Sequence, residues 1–311
     1  MELRRLRLLY ELSRHGTVAS VAQALSYSPS SVSVQLAELE REAGTKLLRR
    51  VGRNVELTPA GQRLASYAGE ALAADEAVRA ELAGMSDAPR GALRMTFVQS
   101  TALALLPGAL ARLADTAPAL RVEVVQRETA PALADLRSRA VDLVVGIEYE
   151  PVPVARHRDV DRRDLLREDV LLALHPEHAA LPRRGPVRLT ACEHEPWATG
   201  HPGTGLDAVV RNVCNRLAGY EPDVRHRSDD GLVLSALVAS GRAVALLPAL
   251  LLAEMPQIIA RRLREERLQR TIFTATRTTT TKSPAVVAVR EALEDAARRV
   301  AAGQRDLDVL A

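Results

Sequence analysis

Residues 18–39 of the chain, VASVAQALSYSPSSVSVQLAEL, constrain its fold more than any other segment. The pattern predicts two short helices joined by a tight polar turn. The second helix begins with small hydroxyl side chains, at Ser28, Ser30, Ser31 and Ser33. Such a set of serines is not expected at the start of a helix that packs in a core. It is expected in a helix whose first turns enter a DNA major groove, because small polar residues let the backbone approach phosphates and base edges.

The neighbouring segments extend this arrangement. An amphipathic helix is predicted over 3–15, ended by Gly16, and Thr17 is a good cap for a second helix over 18–25. Ser28 is expected to cap a third helix, and Pro29 follows at the first helical position, where a missing N–H costs nothing. Val32, Leu36 and Leu39 are predicted to form the buried side of this helix. The run KLLRRVGRNVELTPAG then predicts a hairpin, or wing, that turns at 52–54.

The net charge of the whole chain gives little support for a polyanionic partner, but the charge of the N-terminal segment does. The whole chain has 42 basic and 39 acidic residues, a net charge of +3. Residues 1–58 hold nine Lys and Arg against six acids, and four of those cations fall within 46–53. This cluster suits phosphate contacts. Aromatic residues make up only 3% of the chain, which argues against a single-strand binder built on stacking platforms.

A long Ala-rich helix is predicted over 59–84. Its apolar seam recurs every three or four residues, through Leu64, Ala68, Leu72, Val78 and Leu82. Such a seam favours pairing with the same helix of a second copy of the chain, since DNA sites usually match a two-fold protein symmetry. The alternative is that the seam packs on its own N-terminal domain. Residues 84–91 have the composition of a linker.

From residue 92 onwards, strands and helices alternate. The first β-α-β-α-β run, over 92–147, indicates an α/β domain with a buried parallel sheet. A second unit starts near 168, and the chain returns to the first with a strand over 271–277 and a helix over 284–302. This order is typical of a two-lobed binding protein, in which ligands bind at the carboxyl ends of the strands, beside helix N-termini.

The motifs of the N-terminal segment resemble the signature of the LysR-type transcriptional regulators. They are a Ser-x-x-x-Val-Ser-x-Gln stretch from Ser28, a Leu-Glu pair, Leu-Leu-x-Arg at the start of the wing and Leu-Thr-Pro-Ala-Gly after it. VDLVVGI, LLALHPEHAAL and ASGRAVALLP match more weakly. The resemblance covers nearly the whole chain.

The resemblance implies an α/β protein with three parts. These are a winged helix-turn-helix over 1–58, a linker and dimerisation helix over 59–87, and a periplasmic-binding-protein-like effector domain over 88–311. Lobe I of that domain is expected at about 88–160 and 268–302, and lobe II at about 161–267. The implied function is ligand-responsive regulation of transcription at inverted-repeat promoter sites, with double-stranded DNA, a small-molecule effector and RNA polymerase as partners and a homodimer or homotetramer as the assembly.

The resemblance also assigns DNA-facing residues. In the recognition helix and its cap they are Ser28, Pro29, Ser30, Ser31, Ser33, Val34 and Gln35, and in the wing Arg49, Arg50, Arg53 and Asn54. Pro29 and Val34 replace longer polar residues of many relatives, so direct readout is expected to depend more on Gln35, which can bond adenine, and on DNA shape. Simple helix capping by the serines and solvated surface charge at Arg49 and Arg50 are the alternatives.

Effector contacts are expected at three places in the α/β domain. After the first strand they are Gln99, Ser100 and Thr101, whose alternative role is N-capping. At the end of the third strand they are Gly146 and Ile147. Before a helix of the second lobe they are Thr199, Gly200 and His201. The last segment lacks the Lys-Ser/Thr of a phosphate-binding P-loop, so nucleotide binding is poorly supported.

Other chemistries are poorly supported. His175, His178, Cys192 and His194 are possible zinc ligands by type, but they are not obviously adjacent, so no metal and no cofactor is expected. Trp197 is expected in the core or on the cleft wall. No Gly-x-Ser-x-Gly elbow or His-Glu-x-x-His motif supports the alternative of an enzyme with an appended DNA-binding head. An architectural DNA-binding protein would not need some 220 residues of α/β structure.

Location follows from composition. The N-terminus is charged throughout, unlike a signal peptide, and no run of 18 apolar residues exists. The sequence therefore predicts a cytoplasmic protein without a membrane segment, in which the two cysteines, Cys192 and Cys214, are free thiols.

Overall fold

The computed structural model describes residues 1–311 apart from 26, 52–53, 86–87, 179–184, 303, 305 and 311, and for residue 54 only the backbone. The chain divides into two compact units. The first consists of Met1–Asp87 with Ser138–Ala140 and Thr278–Pro284. The second consists of Ala88–Arg137, Val141–Arg277 and Ala285–Ala311.

The first unit is a helical domain with a hairpin. Its elements are α1 (Leu3–His15), α2 (Val18–Ala24), α3 (Pro29–Ala43), β1 (Leu48–Val51), β2 (Asn54–Leu57) and α4 (Pro59–Gly84). The capping residues act as the sequence predicts: the side chains of Thr17, Ser28 and Thr58 each accept a hydrogen bond from a backbone N–H in the following first turn. Gly16 ends α1 in the left-handed region, at φ 73°, which a glycine adopts without steric cost.

The core of this unit lies between the helices. Leucines of α1 pack against Val32, Leu36 and Leu39 of α3, which confirms the predicted buried stripe. Glu11 of α1 is also fully buried, next to His15, and burial raises the pKa of its carboxyl.

The two halves of α4 differ in burial. In the first half, Ala65, Ala68 and Leu72 are buried, packed toward α1, so this part of the seam lies on its own N-terminal domain. In the second half, Val78 and Leu82 are exposed in the single chain. Packing of the seam on its own N-terminal domain, which the sequence left open, is therefore seen for the first half of α4 and not for Val78 and Leu82.

The second unit is built on one mixed sheet. Its first part contains β3 (Gly91–Phe97), α5 (Gln99–Thr116), β4 (Leu120–Gln126), α6 (Thr129–Arg137) and β5 (Leu143–Tyr149). β3 pairs in parallel with both β4 and β5. The long strand β6 (Val160–Leu174) follows, and β11 (Gln269–Arg277) lies between β5 and β6, antiparallel to both. The sheet is therefore mixed, whereas the sequence predicted a parallel one.

The rest of the unit completes this framework. Its elements are β7 (Pro196–Thr199), α7 (Gly205–Val213), β8 (Asp223–Arg227), α8 (Gly231–Ala239), β9 (Ala245–Pro248), α9 (Ala249–Leu252), β10 (Ile259–Arg261), α10 (Pro284–Ala301) and β12 (Leu307–Val309). Within the described residues the main sheet has eight strands in the order β10-β6-β11-β5-β3-β4, with β9 and β12 also paired to β6, while β7 and β8 form a separate parallel pair.

The long strand β6 connects two parts of this unit, which we call the first and second lobes. The first lobe contains β3, β4, β5, β11, α5, α6 and α10. The second contains β7 to β10 and α7 to α9. β6 pairs with β11 in its first two thirds and with β9 and β10 in its last third. The sequence predicted only the apolar end of this strand, because its first residues are charged.

Candidate functional site

The first turns of α3 are organised by local hydrogen bonds. Ser28 Oγ accepts from the backbone N–H of Ser31 at 3.2 Å and lies 3.0 Å from Ser30 Oγ. Ser33 Oγ donates to the carbonyl oxygen of Pro29 at 2.9 Å. Ser28 therefore caps the helix, as the sequence predicts, while the Ser33 hydroxyl bonds back to the preceding turn and caps no N–H group of the helix start.

The helix presents one side to its own core and the other to solvent. Pro29, Ser30, Ser33 and Val34 are exposed, as is Ala37 one turn later, while Ser31 is half-buried. The exposed side combines small hydroxyl groups with apolar side chains and carries no long polar side chain before Glu38. Such a surface allows close approach of the helix backbone to a partner.

Gln35 differs from the sequence expectation. Its side chain is half-buried, and its Oε1 accepts a hydrogen bond from Arg5 Nε of α1 at 3.0 Å. Arg5 also forms an ion pair with Glu42 of α3. In a two-point contact of the Gln35 amide with adenine, Oε1 would accept a second hydrogen bond beside the one from Arg5. The sequence did not reveal this contact because it joins residues 30 positions apart, on two different helices.

The wing is fastened to α3 by a residue that the sequence analysis missed. Glu40 Oε1 accepts from the backbone N–H groups of Leu47 and Leu48, at 2.9 and 3.0 Å. Burial by itself raises the pKa of Glu40, but the hydrogen bonds from Leu48 and Leu47, together with Lys46, outweigh burial and lower that pKa. Glu40 thus fixes where the hairpin begins. The Leu-Glu pair of the motif was the signal available for it.

The predicted wing contacts are only partly described. Arg49 Nη2 donates to Glu56 Oε2 across the hairpin at 2.8 Å, and both side chains are exposed. Arg50 is exposed on the neighbouring position of β1. Arg53 lies outside the described residues, and Asn54 is described only as the first backbone position of β2.

In the second unit, Gln99 links the two lobes. Its Nε2 donates to Asp230 Oδ1 at 2.7 Å, and its Oε1 accepts from the backbone N–H of Gly231 at 2.8 Å. Asp230 in turn caps α8 by accepting from the backbone N–H of Leu232. The N-termini of α5 and α8 are therefore held together by one side-chain amide, which the sequence could place only on its own helix.

Ser100 contacts a buried ion pair, which is formed by Arg270 and Glu168. Its Oγ accepts from Arg270 Nη2 at 2.7 Å, and Arg270 Nε donates to Glu168 Oε1 at 2.8 Å. Arg270 is 2% exposed and Glu168 is 0% exposed. Burial alone would lower the pKa of Arg270, but the Glu168 carboxylate, together with Tyr149, outweighs burial and raises that pKa. The sequence does not reveal this pair, because nothing local marks Arg270 and Glu168 as partners.

Carboxylates of both lobes lie near this pair. Burial and the Asp229 carboxylate raise the pKa of Glu128, at the start of α6, while Arg270 lowers it. Asp229 Oδ1 accepts from the backbone N–H of His201 at 3.0 Å, and its Oδ2 lies 3.1 Å from His201 Nδ1. Glu128 therefore feels both the Arg270 guanidinium beside Ser100 and the Asp229 carboxylate beside the His201 loop.

Three predicted contact residues serve packing. Thr101 is fully buried, and its hydroxyl donates to the carbonyl oxygen of Val98. Gly146 and Ile147 lie inside β5, which continues to Tyr149, rather than at its end. A Cβ at Gly146 would lie 2.7 Å from Phe273 Cζ, so this position allows the Phe273 ring to pack against the strand. The structure therefore gives these three positions packing roles, and their effector contacts stay predictions.

The remaining loop residues lie at the end of β7. Thr199 is buried, and among the described residues no group hydrogen-bonds its hydroxyl. The carbonyl oxygen of Gly200 accepts from Arg227 Nη1 at 2.8 Å. His201 is exposed. This loop therefore combines one solvent-facing imidazole with a backbone fixed by Asp229 and Arg227.

The two cysteines and the tryptophan lie in the core. Cys192 and Cys214 are free and fully buried, and burial raises their pKa values to about 12 and about 11. Trp197 is fully buried, with Nε1 donating to the carbonyl oxygen of Cys192. His178 Nε2 lies 3.4 Å from Glu195 Oε2. The described part of the chain contains no group of three or more His, Cys, Asp or Glu residues that could hold a metal ion.

Both thiols are expected to resist reagents in the folded protein, because a buried thiol with a raised pKa supplies little thiolate. Reaction of the native chain with a colorimetric disulfide reagent at pH 8 should be slow. The same reagent in denaturant should titrate both cysteines at once. Hydrogen peroxide should leave DNA binding of the native protein unchanged. Fast labelling of the native chain would contradict the buried placement.

Residues 3–62 match the family described as "Bacterial regulatory helix-turn-helix protein, lysR family", and residues 86–298 match the "LysR substrate binding domain". The Transcriptional dual regulator GltC of Bacillus subtilis (strain 168) is 28% identical over 254 residues, which cover 82% of this chain and 83% of that protein. A probable hydrogen peroxide-inducible genes activator of Mycobacterium avium is 30% identical over 245 residues, which cover 78% of this chain and 76% of that protein.

Solved structures share the fold. A full-length OxyR variant from Pseudomonas aeruginosa superposes with a TM-score of 0.67 at 18% identity, covering 94% of each chain. CbnR complexed with its target DNA gives a TM-score of 0.51 at 24% identity, covering 95% of this chain and 99% of that one. The architecture expected from the sequence, an N-terminal helix-turn-helix followed by an α/β ligand domain, is confirmed. The chain belongs to the LysR family of transcriptional regulators.

Proposed function

We propose that α3 is the recognition helix and that two copies of it, in a dimer, enter successive major grooves of an inverted-repeat promoter site. The observation that carries this proposal is the division of α3 into a buried apolar side and an exposed side of small residues. The exposed side includes Pro29, Ser30, Ser33 and Val34. Ser28, Ser31 and Gln35 position that surface and contribute at its edge.

The wing would contact the DNA backbone. Exposed Arg49 and Arg50 support phosphate contacts, and Arg53 and Asn54, at the tip of the hairpin in the sequence, are proposed for the adjacent minor groove. These contacts would fix the orientation of α3 on the duplex and add little sequence information. They should also make the affinity fall as the salt concentration rises.

A second copy of the chain is proposed to cover the far half of α4. Val78 and Leu82 continue the seam of the buried first half and are exposed in the single chain. Covering them with the same helix of a partner would give the two-fold symmetry that an inverted repeat requires. A homotetramer could form from two such dimers, and sedimentation of the full chain distinguishes the two assemblies.

The effector is proposed to bind between the lobes, near the N-termini of α5 and α8. Gln99, Ser100, Thr199, Gly200 and His201 remain the candidate contacts. Their support is the Gln99 bridge between the lobes, the Ser100–Arg270 contact in the first lobe and the Asp229–His201 contact in the second. Effector binding would shift the arrangement of the lobes, and so the geometry of the dimer on DNA and the recruitment or exclusion of RNA polymerase.

The protein is proposed to act as a regulator rather than an enzyme, because its curated relatives are regulators. No helix in the described part of the chain is long and apolar enough to cross a membrane. A cytoplasmic location is proposed from the DNA-binding function. The alternative of an enzyme with a DNA-binding head predicts turnover of a bound ligand.

Selection from a random double-stranded DNA library tests the proposed DNA-binding function. The full chain is expected to enrich a two-fold symmetric sequence and to bind it with an affinity that declines with salt. Failure to enrich any sequence would exclude the proposed role of α3.

A ligand screen tests the effector site. The single tryptophan, Trp197, is buried in the second lobe, so its fluorescence reports unfolding of that unit. A true effector should raise the unfolding temperature, because it binds the folded state alone. It should also change the affinity for the selected DNA and be recovered chemically unchanged. Recovery of a converted product would favour the enzyme alternative.

Replacing Gln99 with alanine should loosen the connection between the lobes. The backbone N–H of Gly231 loses its acceptor, so its hydrogen exchange is expected to rise about five- to thirtyfold, which corresponds to one or two net hydrogen bonds of about 1 kcal/mol each. Mass-spectrometric exchange of a peptide over 226–239, in which Gly231 is not one of the two N-terminal residues, measures this change. Gln62→Ala, on the exposed side of α4, is the matched control and should leave that peptide unchanged.

A further inference from the structure

We propose that Val34 reads thymine through its methyl group. The two γ-carbons of Val34 would pack against the C5 methyl of a thymine in each half-site, with Ala37 and Pro29 extending the apolar contact along α3. This inference rests on the proposed function, in which α3 enters the major groove. It adds the chemistry by which the helix distinguishes one base from another.

The first support is the exposure of Val34. Its side chain is 64% exposed in the second turn of α3. The core of the domain does not require it there, because Val32 and Leu36 already supply the buried side of the helix. An exposed valine is also a weaker helix former than alanine or a long polar residue. Its presence at the centre of the proposed DNA surface therefore favours a role in contact.

The second support is that neighbouring polar groups are already engaged. The hydroxyl of Ser33 donates to the carbonyl oxygen of Pro29. Ser28 Oγ accepts from the backbone N–H of Ser31 and interacts with Ser30. The Gln35 carbonyl oxygen is bonded to Arg5. Among the exposed residues from Pro29 to Ala37, the hydroxyls of Ser30 and Ser33 are bonded within the helix start, and Pro29, Val34 and Ala37 contribute only apolar groups.

The third support comes from the chemistry of the major groove. Thymine presents a C5 methyl group there, whereas the other unmodified bases present hydrogen-bond donors and acceptors without such a methyl. Val34 and Ala37 are three residues apart, so they lie next to each other along the same side of the helix. An apolar strip of this kind complements thymine and leaves the donor of cytosine or adenine without a partner.

Uracil substitution isolates this methyl contact, since uracil differs from thymine only by the missing methyl group. Each thymine of the selected site is replaced in turn, symmetrically in both half-sites. At the contacted position the wild-type protein should lose about fourfold in affinity per half-site, the value of one buried methyl group. Val34→Ala should bind the thymine site more weakly, and uracil at that position should cause it no further loss.

A matched control variant separates the loss of the methyl contact from any effect of the substitution on folding. Val287→Ala removes the same atoms from an exposed valine of α10 and should retain the full uracil penalty. Circular dichroism should show both variants folded, because a surface valine-to-alanine change has little effect on stability. An equal uracil penalty in wild type and Val34→Ala, or no penalty at any thymine, overturns the inference while sequence-specific binding persists. Failure of the selection itself overturns the proposed function instead.

Discussion

Replacing Glu168 with alanine is expected to lower the free energy of unfolding of the second unit by about 3–5 kcal/mol. The substitution leaves the guanidinium of Arg270 buried without its counter-charge, and it removes the acceptor of the Leu250 backbone N–H. Chemical denaturation followed by Trp197 fluorescence measures this loss, because that side chain reports the unit that contains the pair. The effect should be the largest of any single change described for this chain.

Two further variants identify the cause of that loss. Asp75→Ala breaks an exposed pair with Arg79 on α4 and should cost less than about 1 kcal/mol, since surface ion pairs contribute little. The double variant Glu168→Leu with Arg270→Met removes both charges together and should recover much of the stability. A double variant no more stable than Glu168→Ala would show that packing, rather than the unpaired charge, dominates the site.

Replacing Ala37 with glutamate is expected to weaken DNA binding by at least about 100-fold. Like charges brought together in an interface cost several kcal/mol, and in the proposed complex this carboxylate would be directed at the phosphates and bases of the DNA. Glutamate is a good helix former and Ala37 is exposed, so the fold should be unaffected. Fluorescence anisotropy with the selected DNA site measures the change.

Ala111→Glu provides the control for this charge change. It places the same carboxylate on an exposed alanine of α5, outside the helix-turn-helix, and leaves the net charge of the two variants equal. Its affinity for DNA should stay within about twofold of wild type, since distant surface charges are screened at physiological salt. Equal weakening by both variants would indicate a general electrostatic effect and exclude a specific role for this side of α3.

Local signals made the N-terminal domain predictable. Thr17, Ser28 and Thr58 each mark a helix start within a few residues of the groups they bond, so the sequence placed these helices within a residue or two. In the second unit, the sequence correctly predicted strands such as β5, in which the residues on both faces of the strand are apolar. The charged first residues of β6 concealed its true length, because pairing with β11 and not hydrophobicity makes them a strand.

Long-range contacts were not predictable. Arg270 and Glu168 are 102 positions apart, and Gln99 and Asp230 are 131 positions apart. Periodicity records which face of an element is buried, but it does not record which polar group of another element lies opposite. For the same reason the sequence assigned Gln35 to base recognition without revealing Arg5, and placed Thr101 in a cleft although its helix buries it.

The close fit of α4 against the hairpin has a mechanical consequence. A Cβ at Gly61 would lie 2.1 Å from the carbonyl oxygen of Leu47, and Glu40 holds Leu47 from the other side. The wing, α3 and the first turn of α4 are thereby locked together and would turn as one lever. The 26 residues of α4 span about 39 Å. A tilt of about 10° at its far end would displace the near end by about 7 Å, roughly two base-pair steps of 3.4 Å. In the proposed dimer, a small tilt of α4 would therefore change the distance between the two α3 helices by an amount comparable with the spacing of base pairs.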